Sequence, residues 1–364
     1  MRTALARLHR YVGLALAGYL VIAGLTGSVI AFQHEIDGWL NADLMRPAPA
    51  AEPRPLAEQE DTVRRAYPAA DILMVVFDQA TAFSILSGPT VLTVFVDPGT
   101  ARVLGARPAD GGCCDRRSVV RFLYVLHYSL HGGTVLRLIL GVVSLAWFID
   151  CFVGFYLTLP RGRPFWQKWR PAWMVKRAAS ATRLTFDLHR AGGLWPWLLL
   201  AIIAFSGAYL NLKGPVFVPI IEATMPVTKS ALSVRPAAPA PPPVLDYAAV
   251  QAAAVAEAAR LGWAGPLQFL WLGREYGLYH AAFRASAGGR SDLLVDAATG
   301  RIVEVRPFAG GTAGDLLMDV QLPLHSGRLL GLAGRILVCA TGIATVVLSV
   351  TGVLIWWRRR RGKR

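Results

Sequence analysis

The chain has 364 residues, 54% of them hydrophobic, with a mean hydropathy of +0.43 and a formal net charge of +15. So apolar a chain is not an ordinary soluble protein. It fits a polytopic membrane protein with sizeable soluble segments. The charge does not describe a nucleic-acid surface, and no nucleic-acid partner is expected. Basic residues crowd at Arg2, Arg7 and Arg10, between Arg161 and Arg183, and from Arg358 to Arg364, while the long segments between them are mixed in sign. That is positive-inside bias.

In chain order, Leu8-His9-Arg10 opens the first apolar run, Tyr11–Phe32. At about twenty residues it is long enough to cross a bilayer as a helix. It is too long for a usual signal-peptide core, lacks a convincing cleavage site and runs into His34-Glu35, so it is read as retained. A Pro-rich linker follows, Arg46 to Pro55. Residues Leu56–Ala66 read as a helix, and Ile72–Phe77, Ala82–Leu86 and Thr90–Val96 as strands. Val96-Asp97-Pro98-Gly99 makes a turn by composition, and Arg102-Val103-Leu104 resumes a strand. Cys113 and Cys114 are adjacent, with no CxxC. Two unrelated loop cysteines is the simpler reading, and a vicinal disulfide with a redox role is the other.

The second apolar span is Leu136–Leu159, and a short basic loop leads to Leu188-His189-Arg190 and the third, Gly192–Leu212. A second Pro-rich linker, Arg235 to Pro243, precedes a helix at Tyr247–Leu261 that is rich in Ala and Glu. Strands follow at Leu267–Leu272 and Tyr276–Arg284. Leu294-Val295-Asp296 through Ile302 then restates Phe95-Val96-Asp97 through Val103. The last span is Ile336–Trp357. The charge bias places both termini and the Pro160–Leu188 loop in the cytoplasm, and the two long soluble segments outside.

The chain thus reads as one unit written twice: span, small α+β domain of one helix on an antiparallel sheet, span. In both first spans Gly follows the His by four residues (Gly13, Gly193) and by eighteen (Gly27, Gly207). In both closing spans a His precedes an Arg by ten residues, and the Arg precedes a Gly by seventeen: His127, Arg137, Gly154, and His325, Arg335, Gly352. Internal repeats in membrane proteins commonly put the functional site at their interface.

The order of Leu8-His9-Arg10-Tyr11-Val12-Gly13-Leu14, Leu25-Thr26-Gly27-Ser28, His34-Glu35-Ile36-Asp37, Pro323-Leu324-His325-Ser326-Gly327 and Thr351-Gly352-Val353-Leu354-Ile355-Trp356-Trp357 resembles the PepSY-associated transmembrane family over nearly the whole chain. The resemblance implies a four-helix membrane protein carrying two small periplasmic α+β, PepSY-like domains. The expected boundaries are helix 1 in 1–35, domain 1 in 36–122, helix 2 in 123–160, a cytoplasmic loop in 161–188, helix 3 in 189–213, domain 2 in 214–320, and helix 4 with a basic cytoplasmic tail in 321–364. The family includes the FoxB-like siderophore reductases, inner-membrane proteins that carry haem. That kinship implies reduction of a ferric siderophore, or another ferric chelate, in the periplasm.

Six of the seven histidines lie at the ends of spans, where an imidazole is costly without a partner or cofactor. Neutral imidazoles are the usual axial ligands of electron-transfer haem iron. His9 and His189 match in position and are expected to hold one haem b. The bland alternative is an interfacial His snorkelling beside an Arg. His127 and His325 also match and would hold a second, with Arg137 and Arg335 near its propionates. His34 and His131 match each other in depth instead, so the outer pairing stays open: either pair, or both. His280 sits on a strand, where it touches substrate or is simply half-buried. Asp150, deep in the second span, is read as serving quinol protons or pairing with Arg10 or Arg190.

There is no HExxH, GxSxG, Walker loop or GxGxxG. The cytoplasmic loops are too short for a flavin or nicotinamide domain. Electrons would therefore come from membrane quinol or a separate reductase. The alternative function is non-catalytic: a membrane-anchored PepSY pair that binds or regulates an envelope protein, a protease or a transporter.

Overall fold

The computed structural model describes the chain except residues 49–51, 110–111, 177, 234–235, 237–239 and 362–364. Parts of the two expected linkers and the end of the basic tail lie outside the described residues. The elements run α1 (Arg2–Ile30), α2 (Gln33–Leu40), α3 (Ala42–Met45), α4 (Leu56–Ala66), β1 (Asp71–Phe77), β2 (Thr81–Ser87), β3 (Thr90–Asp97) and β4 (Arg102–Pro108). Next come α5 (Val119–Ser129), α6 (Gly133–Thr158), α7 (Phe165–Trp169), α8 (Ala181–Leu194), α9 (Trp197–Leu212) and α10 (Val218–Thr224). The remainder is α11 (Tyr247–Arg260), β5 (Leu267–Gly273), β6 (Leu278–Arg284), β7 (Arg290–Asp296), β8 (Ile302–Arg306), α12 (Ala313–Asp319), α13 (Gln321–His325) and α14 (Gly331–Arg361). They form two compact units, one of Met1–Phe32, Leu123–Ile220 and Gln321–Arg364, the other of Gln33–Phe122 and Ile221–Val320.

The first unit is helical. Four of its helices are long and apolar enough to cross a membrane, so the chain is a multi-pass membrane protein. Large apolar side chains such as Val135, Val142, Ile149 and Ile343 stay exposed along them, a surface that suits lipid. The helix expected in 123–160 is two helices. Between α5 and α6, Leu130 and His131 take positive φ (47° and 58°) and break the rod. The helix expected in 189–213 divides at Trp195-Pro196, where Pro196 has no N–H to continue the ladder. Small residues set the crossings. A Cβ on Gly24 of α1 would stand 2.6 Å from the carbonyl oxygen of Gly342 on α14, and one on Gly342 would stand 2.7 Å from that of Gly24. The backbones therefore meet directly, as small residues allow in membrane helices. Ser28 Oγ donates to the carbonyl of Cys339 at 3.0 Å across the same contact.

The second unit corrects the expectation of two separate domains in 36–122 and 214–320. Both segments build a single eight-stranded antiparallel sheet in the order β4-β3-β2-β1-β5-β6-β7-β8. Its middle is the pairing of β1 with β5, Val75 opposite Leu270. Each half alone would expose that strand as an edge, with its row of unpaired backbone groups. The helices α4 and α11 bury Leu56 and Val63, and Tyr247, Val250, Ala254 and Ala258, in one core with Val75, Phe83, Val94, Leu270, Phe283 and Leu293. Core residues alternate along the strands, as at Phe83 and Ile85, Val94 and Val96, and Leu293 and Val295, as a half-buried sheet requires.

The repeated Val-Asp turns are alike. Asp97 accepts from Gly99 N–H and Thr100 Oγ1, and Asp296 from Thr299 N–H and Oγ1. The helices α2, α3 and α12 were not expected from the sequence. The simpler reading of Cys113 and Cys114 is overturned: they form a disulfide across neighbouring residues, their Cα atoms 3.7 Å apart.

Candidate functional site

Two pairs of facing imidazoles lie in the helical unit. The ring centres of His9 and His189 are 6.1 Å apart with planes at 57°. Those of His127 and His325 are also 6.1 Å apart, at 54°. These are the two pairs matched by spacing in the sequence. A metal held midway at roughly 2 Å from one nitrogen of each ring would put the ring centres roughly 6 Å apart.

Each ring rests on a glycine of another helix. A Cβ would stand 3.0 Å from His127 Cε1 at Gly27, 3.3 Å from His9 Cε1 at Gly154, 3.4 Å from His325 Cε1 at Gly207 and 3.2 Å from His189 Cε1 at Gly352. Thus α1 gives His9 and the shelf for His127, while α6 gives the shelf for His9. Likewise α8 gives His189, α14 its shelf, and α9 the shelf for His325. The glycines at eighteen residues from His9 and His189 are there to let a ring approach the backbone.

The Nδ1 atoms are all engaged. His127 Nδ1 lies 3.1 Å from Thr26 Oγ1, His325 Nδ1 2.9 Å from Ser206 Oγ, and His189 Nδ1 3.1 Å from Thr351 Oγ1 and 3.0 Å from the Leu348 carbonyl. The three hydroxyls already donate to the carbonyls of Ile22, Ile202 and Val347, each four residues back. They can only accept from the rings, so Nδ1 carries the proton and Nε2 keeps its lone pair. His9 Nδ1 lies 2.9 Å from Asp150 Oδ2, a buried carboxylate. Asp150 thus pairs with His9 rather than with Arg10 or Arg190. Arg190 is spent on Asp187 and on the carbonyl of Pro171. Second partners that fix a ring and its tautomer are the usual surroundings of a metal-binding histidine.

Of these five partner groups only Asp150 was singled out from the sequence, and there with other partners. A signal was present. Thr26-Gly27, Ser206-Gly207 and Thr351-Gly352 each set a hydroxyl one residue before the shelf glycine, and only Val153-Gly154 departs from that pattern.

Of the expected propionate partners, Arg137 lies on α6 with its Nε buried and without a hydrogen-bond partner among the described residues. Arg335 donates from Nε to the carbonyl of Ala31 at 2.8 Å, and its guanidinium lies 4.5 Å from the ring centre of Phe32. An orphaned buried guanidinium nitrogen in the unit that holds two imidazole pairs would suit an anionic cofactor held by two imidazoles. His131 is exposed in the break before α6, and His34 is exposed at the start of α2 in the other unit. His325 is the imidazole that faces His127.

Along the α6–α9 contact runs a ladder of rings, Phe217, Phe205, Phe148, Phe152, Trp197 and Phe155, with neighbouring centres 4.6–5.6 Å apart. Counting along α1, Gly27 stands roughly 27 Å beyond His9, so the two histidine pairs mark two levels of the bundle.

In the sheet unit His280 Nε2 lies 2.8 Å from Asp292 Oδ1. Burial alone would raise the Asp292 pKa, but the His280 hydrogen bond and the Arg290 charge outweigh it and hold it below the ordinary carboxylate value. The neighbouring cavity is about 90 Å³. His280 is a half-buried strand histidine tied to its carboxylate.

A family model described as the PepSY-associated TM region matches residues 6–359. No curated protein matches the chain.

Proposed function

This chain belongs to the PepSY-associated transmembrane family, and from that premise we propose that it is a FoxB-like haem b reductase of the bacterial inner membrane. It passes electrons across the bilayer to ferric siderophores, or other ferric chelates, in the periplasm. Both termini lie in the cytoplasm, the sheet unit lies outside, and the chain is an internal two-fold repeat. The observation that carries this reading is the pair of imidazole pairs at 6.1 Å, each ring held through Nδ1 with Nε2 left as the available nitrogen.

In this reading His9 and His189 hold an inner haem, and His127 and His325 an outer one. Arg137 and Arg335 stand near propionates, and His34 and His131 are each candidates for a further ligand. Bound haem supplies one-electron chemistry. The protein's own residues do the rest. Hydroxyl and carboxylate partners fix the tautomer, and the glycine shelves admit the rings. With no CxxCH for covalent attachment, ligation and packing must retain the group. The sequence carries no GxGxxG or Walker loop, and in this reading the donor is membrane quinol or a separate reductase. Reduction helps release iron because hard oxygen ligands hold ferrous iron less well than ferric.

The test is anaerobic mixing of dithionite-reduced, desalted protein with a ferric hydroxamate chelate and a ferrous-specific dye. Dye colour should rise as the reduced haem bands decay, electron for electron. Stable reduced bands in the presence of excess chelate would remove the reductase activity and favour the binding-module alternative.

A further inference from the structure

Three of the four ring partners are neutral. Thr26, Ser206 and Thr351 offer hydroxyls, joined at His189 by a carbonyl. The fourth is the carboxylate of Asp150, which stands one turn before the shelf glycine Gly154 because Val153 has no hydroxyl to offer. Its side chain is 10% exposed, and its second oxygen is buried without a hydrogen-bond partner among the described residues. Its hydrogen-bond partner among the described residues is His9 Nδ1. Its charge therefore bears on the His9–His189 pair in a poorly solvated place, where electrostatic effects are strong.

A carboxylate that accepts from the distal nitrogen of a ligating imidazole makes that ligand more basic. Added negative charge near an iron centre favours its more positive oxidation state. Axial-ligand hydrogen bonding is one of the levers by which a protein sets a haem's potential. Resting on the haem reading above, we propose that Asp150 is a positioning residue that gives the His9–His189 site a lower reduction potential than the His127–His325 site. An otherwise matched pair of sites then acquires a direction: an electron entering at the Asp150 end moves downhill towards the other. The exchange is one electron between two like centres, so no bond forms or breaks. No co-reactant is needed beyond the quinol or reductase that supplies the electron.

The experiment is potentiometric titration of purified holoprotein by optical spectroscopy, with wild type, Asp150→Asn and His325→Ala. Wild type should titrate in two waves. In Asp150→Asn the lower wave should move up by a tenfold or greater change in the ferric-to-ferrous ratio, 59 mV for one electron, while the upper wave stays. His325→Ala keeps only the His9 pair intact, and the midpoint of its surviving low-spin haem should be the lower of the two. The second arm serves where Asp150→Asn fails to retain the haem. The proposal is overturned if Asp150→Asn keeps both haems with unmoved midpoints, or if the haem surviving in His325→Ala is the higher-potential one. Wild type without haem would instead overturn the reading on which this inference rests.

Discussion

The ring of His127 lies edge-on against Gly27, so close that a Cβ there would stand 3.0 Å from its Cε1. Ordinarily a helical glycine is a defect, and replacing it gains up to about 1 kcal/mol of helix propensity. At Gly27 the larger side chain must displace the ligand. Gly27→Leu should lose the outer haem while the His9 pair keeps its spectrum, and Gly352→Leu should do the reverse. Gly13→Ala is the control, because nothing lies within 4 Å of a Cβ there. It should leave haem content unchanged and raise thermal stability slightly. Haem quantification of the three purified variants checks this.

Single histidine substitutions separate the two pairs. His189→Ala should remove or turn high-spin one haem equivalent and spare the other, and His325→Ala should do the same for the outer one. His34→Ala and His131→Ala test each histidine as a further ligand: a loss of haem in either marks it as one. Haem content and spin state by optical and electron paramagnetic resonance spectra decide, with folding checked because bound haem stabilises the native state.

The partnership of His9 with His189 was legible in the sequence from matched spacing, while that of His127 with His325 was one of the alternatives left open, because the depth count set His34 beside His131. Equal intervals from His to Gly, and from His to Arg to Gly, put like groups at like levels. The strands were legible from alternation and from the Val-Asp turns. What was not legible depends on approach between chain segments far apart in sequence. No local pattern says that Asp150 meets His9, 141 residues away. Nor does the alternation of β1 reveal that its free edge pairs with β5 rather than staying open. The break at Pro196 was hidden because the apolar run Gly192–Leu212 continues through it.

The β1–β5 junction makes its own prediction. Leu270 is fully buried and faces Val75 across the centre of the sheet. Leu270→Ala should cost about 2–5 kcal/mol, the usual range for a buried Leu that leaves a cavity. If the halves are one cooperative unit, hydrogen exchange should quicken in β2 and β3 as well as in β6 and β7. Faster exchange confined to β5–β8 would mean that the halves fold independently.

Asp292 sets an acid dependence for the same sheet. Its pKa in the folded state is depressed, because the His280 hydrogen bond and Arg290 outweigh burial, whereas unfolded it is about 3.9. A depressed carboxylate contributes stability that is present above the unfolded pKa and lost as pH falls through the folded one. The protection factors of β6 and β7, exchange taken relative to the intrinsic rate at each pH, should therefore fall on going from about pH 6 to about pH 3 more in wild type than in Asp292→Asn. Equal acid sensitivity in the two would contradict it.

The most direct measurement is the optical spectrum and extractable haem content of the purified, folded wild-type protein from haem-sufficient cells. Two facing imidazole pairs predict two haem b per chain, released by acid-acetone, low-spin when oxidised, with bands that sharpen on dithionite reduction. A colourless preparation, folded by circular dichroism, would contradict the account at its centre.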